Sequence, residues 1–174
     1  MNEPVLTTER LILRPLTLDD ADAAFEWASD ERVTKYMIYC THQSTEDTKA
    51  WLRSIRNLEH HLDFGFVRRS DNKLIGSGGI FRKPDGFWDF GYNFRYDCWG
   101  MGYATEATLA MMDYVRRTYG VKWFRSECAV ENIGSARVME KCGLHFVRNG
   151  EYTKADGMTT YPTKIYELKE GNEP

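Results

Sequence analysis

Between Phe64 and Phe94 the chain carries three strand-like runs whose connections are too short for anything but turns. "FGFVRR" (Phe64–Arg69), "KLIGSGGIF" (Lys73–Phe81) and "GFWDFGYNF" (Gly86–Phe94) are separated by "SDN" and "KPDG". Such links join neighbouring strands head to tail, so the middle of the fold is predicted to be an antiparallel meander. Every other element must attach to the edges or faces of that sheet.

Upstream, "RLILRPL" (Arg10–Leu16) alternates as a strand does, and "TLDDADAAFEWASD" reads as a helix capped at Thr17, with Asp19 and Asp20 in its first turn. A second helix is expected from Ser44 to about His61, with Ala50, Trp51, Ile55 and Leu58 on its inner face. Downstream, a helix from about Gly102 to Tyr119 would bury Ala104, Ala107, Thr108, Met111, Val115 and Tyr119. "VKWFRSECAV" follows as a strand, and "ENIGSARVMEKCG" as a short helix that Gly143 ends in the left-handed conformation. "LHFVRNGEYTK" and "MTTYPTKIYELKE" then form a closing hairpin. The predicted order, βα(α)βββαβαββ, describes an α/β (α+β) fold: a mixed, mostly antiparallel sheet of about 6–7 strands with helices on its faces. With 174 residues and no linker or repeat, one domain is expected.

Charge and cysteine placement narrow the function. A net charge of −3 argues against nucleic-acid binding as the main role and is compatible with a cationic acceptor. The N-terminal "MNEPVLTTER" lacks a signal-like apolar core, and no apolar run reaches membrane-spanning length. Cys40, Cys98, Cys128 and Cys142 form no CxxC and no zinc-like cluster with histidine, so no metal is expected. Reduced thiols and a cytoplasmic location, away from membranes, are the expectation.

"CWGMGYATEA" (Cys98–Ala107) places Gly100, Gly102 and Ala104 directly before the long helix. A helix N-terminus presents unpaired N–H groups and the positive end of its dipole. A loop with little side-chain bulk lets a pyrophosphate approach the amides of Met101, Gly102, Tyr103, Ala104 and Thr105. A tight strand-to-helix turn is the alternative explanation. No Gly-Lys-Ser/Thr follows, which excludes a P-loop. A Rossmann turn would need a third small residue at Thr105 and an opening strand at the start of the fold.

"GYNFRYDCWGMGYATEATLAMMDYV", "ENIGSARVMEKCGLHFV" and the opening "TTERLILRPLTLDDADAAFEW" together resemble the GCN5-related N-acetyltransferase (GNAT) superfamily. The likeness is to the branch of the ribosomal-protein alanine N-acetyltransferases and spans nearly the whole chain. The superfamily's Q/R-x-x-G-x-G/A motif reads here Trp99-x-x-Gly102-x-Ala104. The resemblance implies a sheet whose central strand pair splays, acetyl-CoA as acyl donor between the splayed strands, and transfer to a primary amine in a ternary complex. It also implies that the main chain of Phe94 and Arg95 meets the pantetheine arm, and that Asn132 adds a hydrogen bond to it. Asn132 serves equally well as a helix N-cap.

Amine attack on a thioester needs a neutral nucleophile, a stabilised oxyanion and a proton for the departing thiolate. Many superfamily members supply that proton from a tyrosine at the position that is Met139 here; the resemblance to the narrower branch implies Ser135 instead. It also implies Asp89 as the general base acting through water, with Glu127 on the neighbouring strand a second candidate. Cys98 abuts the loop, but no base is evident beside it for an acyl-cysteine route. The resemblance further implies that Asp30–His61, which contains Tyr36, Met37, Tyr39 and Trp51, forms the acceptor pocket with the final hairpin. The acceptor would be a protein N-terminus or a small amine. A non-catalytic acyl-CoA sensor and an O-acyl or longer-chain acyltransferase are the alternatives, and monomer and homodimer are both compatible.

Overall fold

The computed structural model describes residues 4–55 and 60–171. The meander is its centre: β3 (His61–Arg68), β4 (Lys73–Arg82) and β5 (Trp88–Phe94) pair antiparallel through short turns. On the β3 side lie β2 (Leu11–Arg14) and a short outer strand, β1 (Leu6–Thr7). On the β5 side lies β6 (Trp123–Ala129), followed by β8 (Thr160–Lys169) and β7 (His145–Thr153). The sheet has 8 strands in the order β1-β2-β3-β4-β5-β6-β8-β7. The extra strand beyond the expected number is Leu6–Thr7, too short for alternation to register.

Among the described residues only one neighbouring pair, β5 with β6, runs parallel, and its ladder is the single register pair Trp88↔Phe124. Past that point the two strands leave main-chain groups of β5 without a ladder partner on that side. The splay expected from the resemblance is therefore present.

One face of the sheet carries α4 (Tyr103–Tyr119) and α5 (Ile133–Lys141). Ala107, Thr108, Met111, Met112 and Val115 are buried on α4, and the apolar four of them pack in one cluster with Phe64, Phe66, Phe90 and Phe124. Burying each large apolar side chain there contributes about 1.5–3 kcal/mol. Gly120, at φ +67°, ends α4, and Gly143, at φ +89°, follows α5 as the sequence leads one to expect.

The other face carries α1 (Ala21–Ala28), α2 (Glu31–Thr34) and α3 (Thr45–Ser54). A short 3₁₀ turn, Leu18–Asp20, precedes α1, and Thr17 and Asp20 cap it reciprocally. Asp20 is held by both terminal nitrogens of Arg14, at 2.7 and 2.9 Å. The helix expected from Ser44 to His61 ends at Ser54, because Ile55 is already extended. His61 begins β3, and His60 turns at φ +70° rather than closing a helix. The inner face of α3 is Thr48 and Leu52, with Ala50 exposed, so the expected stripe is rotated; Leu58 lies outside the described residues.

Candidate active site

The site grows from the parting of β5 and β6. In an antiparallel pair, alternate residues point their main-chain groups to opposite edges. Arg95 donates its N–H to the Ile75 carbonyl at 2.9 Å, so the groups of Phe94 and Tyr92 face the other way, toward the crevice. The Ser126 hydroxyl donates across the narrow end to the Phe90 carbonyl at 3.0 Å. This corrects one expectation. The Arg95 carbonyl also accepts from Cys98 N–H, so both its main-chain groups are committed away from the crevice. The crevice-facing pair is Tyr92 and Phe94, and the Phe94 carbonyl already accepts the Trp99 indole N–H at 3.0 Å.

The glycine loop lies at the wide end. Gly100 and Gly102 have φ of +74° and +82°, a region costly for residues bearing a Cβ. Gly102 is the N-cap of α4 and no side chain caps that helix. The first-turn amides of Tyr103, Ala104 and Thr105 therefore lack both an intrahelical acceptor and a capping side chain. Space around Gly100 is open, and Met101 and Trp99 are exposed beside it.

The loop is fixed from outside by the β1–β2 turn, a connection that sequence reasoning missed. Arg10 Nη1 donates to the Met101 carbonyl at 2.8 Å, and its guanidinium lies 4.5 Å over the Tyr103 ring. Glu106 accepts from the Thr8 hydroxyl at 2.6 Å, from Arg10 N–H at 2.8 Å and from Arg10 Nε at 2.7 Å. Burial alone would raise its carboxyl, but these donors outweigh burial and hold it below the usual value. Glu106→Ala is expected to cost about 2 kcal/mol by leaving those donors unpaired, measured by urea unfolding at neutral pH. Because the folded-state value is lowered, the wild-type advantage is present above the ordinary carboxyl range. The charge-dependent part of it should fade as the pH falls through the lowered value, so the gap between mutant and wild type narrows in acid.

Across the crevice stands α5. Asn132 caps it, accepting from Ser135 N–H at 3.2 Å, so the capping role is realised. Ser135, in the first turn, is partly buried, and its Oγ lies 3.0 Å from the Tyr92 hydroxyl. Met139 is 2% exposed in the main core, where it can only pack. Cys98 is buried too, and burial together with Asp97 pushes its thiol up, which disfavours a nucleophilic thiolate.

Asp89 sits beside the apex of the splay, one residue from the Trp88↔Phe124 pair. It accepts from Phe90 N–H at 2.8 Å and lies 3.6 Å from Lys83 Nζ. Burial raises its pKa above the ordinary carboxylate value against the pull of Ser126 and Lys83, and nearby Glu127 adds to the rise. Glu127 itself is exposed and accepts from the Thr163 hydroxyl at 2.8 Å.

On the side where the resemblance puts an acceptor, the final hairpin closes onto residues 34–39. Tyr152 donates its hydroxyl to the Tyr36 carbonyl, and the Tyr161 hydroxyl to Lys35 O at 2.9 Å. Tyr36 and Tyr161 meet edge to face at 5.4 Å. Tyr39 reaches Asn93 of β5 at 3.3 Å, tying this wall to the crevice. Trp51 instead packs against a separate apolar cluster made by Ala24, Trp27 and Ala28 of α1 with Val33, Val67 and Leu74.

The acetyltransferase (GNAT) domain model matches residues 10–145. The chain belongs to this family. Among relatives of the GNAT chain is the Bacillus subtilis (strain 168) protein named "Uncharacterized N-acetyltransferase YnaD", 31% identical over 151 residues, 86% of each chain. A GNAT-family acetyltransferase structure from Bacillus anthracis superposes with a TM-score of 0.83 at 25% identity, covering 96% of this chain and 99% of that one. The microcin C7 self-immunity acetyltransferase MccE, solved with acetyl-CoA and AMP, shares the fold at a TM-score of 0.80 and 16% identity, covering 93% of each chain. The GNAT chain is thus an acetyltransferase-family enzyme of the expected fold.

Proposed function

We propose that this GNAT enzyme moves an acetyl group from acetyl-CoA to a primary amine by direct attack. The observation that carries this reading is the crevice between β5 and β6. It has an uncapped helix N-terminus at its wide end and a serine hydroxyl across from β5. The MccE fold, known with acetyl-CoA bound, supports the choice of donor. Acetyl-CoA would supply an activated acyl group and a pyrophosphate. Gly100, Met101, Gly102, Tyr103, Ala104 and Thr105 would hold the pyrophosphate through main-chain N–H groups. Tyr92 and Phe94 would flank the pantetheine, with Asn132 beside it.

Asp89 serves as base through water and takes the proton that the amine loses on attack. Ser135 gives its hydroxyl proton to the departing sulfur and is reprotonated through water, which recovers the proton held by Asp89, so neither serine alkoxide nor hydroxide accumulates. The net transfer is one proton from nitrogen to sulfur as the C–S bond breaks and the C–N bond forms. The tyrosine-lined wall of Tyr36, Tyr39, Tyr152 and Tyr161 would receive the acceptor, a protein N-terminus or a small amine.

The test is amine-dependent CoA release across a panel of peptides with free N-termini, polyamines and amino acids. Turnover with at least one class supports the reading; acetyl-CoA binding without turnover on any amine would favour a sensor. Asp89 gives the pH dependence. As a base it must be ionised, and its pKa is raised, so kcat/KM is expected to fall on the acid side through a value above the ordinary carboxylate range. Asp89→Asn should remove that limb and lower kcat by about 100-fold. It should not lower Tm, because a carboxyl with a raised folded-state value destabilises the native state once ionised.

A further inference from the structure

A serine in the first turn of a helix has no intrinsic reason to aim its O–H into a crevice. Its hydroxyl commonly turns back onto the main chain. Ser135 is different because the Tyr92 hydroxyl stands 3.0 Å from its Oγ, reaching across from β5. Either oxygen can donate by geometry alone, but a phenol is the stronger acid and so the better donor. If Tyr92 donates, one lone pair of Oγ is taken, and the serine hydrogen is turned away from the phenol. Asn132 Oδ1 beside it already accepts from Ser135 N–H at 3.2 Å.

We propose that Tyr92 is a positioning residue for proton donation: its hydroxyl donates to Ser135 Oγ and directs the serine's own hydrogen into the crevice, toward the sulfur of a bound thioester. The inference rests on the acetyl-CoA reading above and extends it to a residue the sequence did not single out. As the C–S bond breaks, its electron pair stays on sulfur. The Ser135 proton moves to that sulfur, and water reprotonates Oγ. Tyr92 keeps its proton throughout. Burial pushes the phenol well above its ordinary value, and the thiols of Cys128 on β6 and Cys142 at the end of α5 face it. Both thiols are raised by burial, to about 11 and about 12, so neither is an anion that competes for the Tyr92 hydrogen at neutral pH. A purely structural tyrosine would need only its ring, which packs on the main core.

The measurement uses coenzyme A itself and its desulfo analogue, and needs no acceptor. Thiolate absorbance is followed against pH for both complexes, and their difference isolates the bound CoA thiol from the protein's cysteines. The variants are Tyr92→Phe, Ser135→Ala and the double mutant; Phe keeps the ring. A correctly aimed serine O–H stabilises the thiolate. The pKa of the bound thiol should therefore rise by about 1 in each single mutant, and no further in the double mutant. Desulfo-CoA should bind all four proteins within about twofold. A rise in Ser135→Ala with none in Tyr92→Phe would overturn this inference and leave the serine reading standing. Additive rises would overturn it as well, since Tyr92 would then act independently. No rise in either would remove Ser135 as the proton donor, and Tyr92 with it. Failure of the wild type to bind CoA would remove the acetyl-CoA reading on which both depend.

Discussion

A valine in place of Gly102 is expected to weaken acetyl-CoA binding by about 100-fold or more, one of two large effects that follow from the crevice. Gly102 sits at φ +82°, where a β-branched side chain is strained by about 1–2 kcal/mol or more. A Cβ there would also stand 3.3 Å from Arg10 Nη2, the group whose guanidinium fixes the loop. The loop relieves both by re-registering, which withdraws the first-turn amides from the pyrophosphate. Losing two hydrogen bonds to a charged group, at about 1.5 kcal/mol or more each, gives the stated loss. Gly102→Asn is the control, because asparagine tolerates the left-handed region, and it should lose far less. Calorimetric titration of folded protein, checked by circular dichroism, makes the comparison. Valine and asparagine variants with equal affinity would mean that the loop conformation is not what holds the donor.

Ser135→Ala carries the second large effect, a fall in kcat of about 100- to 1,000-fold with acetyl-CoA affinity nearly unchanged. Removing an Oγ that is only partly buried leaves the helix intact, since Asn132 caps α5 through the main-chain N–H of residue 135. The loss should therefore appear in turnover and not in Tm. Rapid-quench single turnovers would separate it from product release. A kcat within about threefold of wild type would contradict the assignment and direct attention to solvent as the proton source.

The meander, α4, α5 and the final hairpin were legible because each rests on a local signal: short turn sequences, a helical apolar stripe, an N-cap asparagine and the glycines that follow the helices. The limits of that legibility are equally physical. Leu6–Thr7 is too short to show alternation, yet it pairs with β2 and carries the turn that grips Glu106. The helix that opens at Ser44 ends sooner than its composition suggests, because Ile55 turns extended. Arg95 was expected to lend its main chain to the crevice, but strand alternation gives that edge to Tyr92 and Phe94. Tyr92 itself is not singled out by any pattern in the sequence. Its hydroxyl meets Ser135 only because two elements 43 residues apart face each other across the splay. No local pattern encodes such a meeting. Of the remaining proposed site residues, Asn132, Ser135 and Asp89 came from the resemblance, whereas the burial that raises the Asp89 carboxyl is created only by the fold.

The central claim is that the parted strands and the glycine loop hold acetyl-CoA. The most direct measurement is a calorimetric titration of the folded wild-type protein with acetyl-CoA, with ADP and NAD as parallel titrants. Micromolar binding of acetyl-CoA, with ADP and NAD weaker by about 10-fold or more, is the result expected. No heat with acetyl-CoA, or tighter binding of ADP or NAD, would contradict the account and leave "CWGMGYATEA" a structural turn or the seat of a different nucleotide.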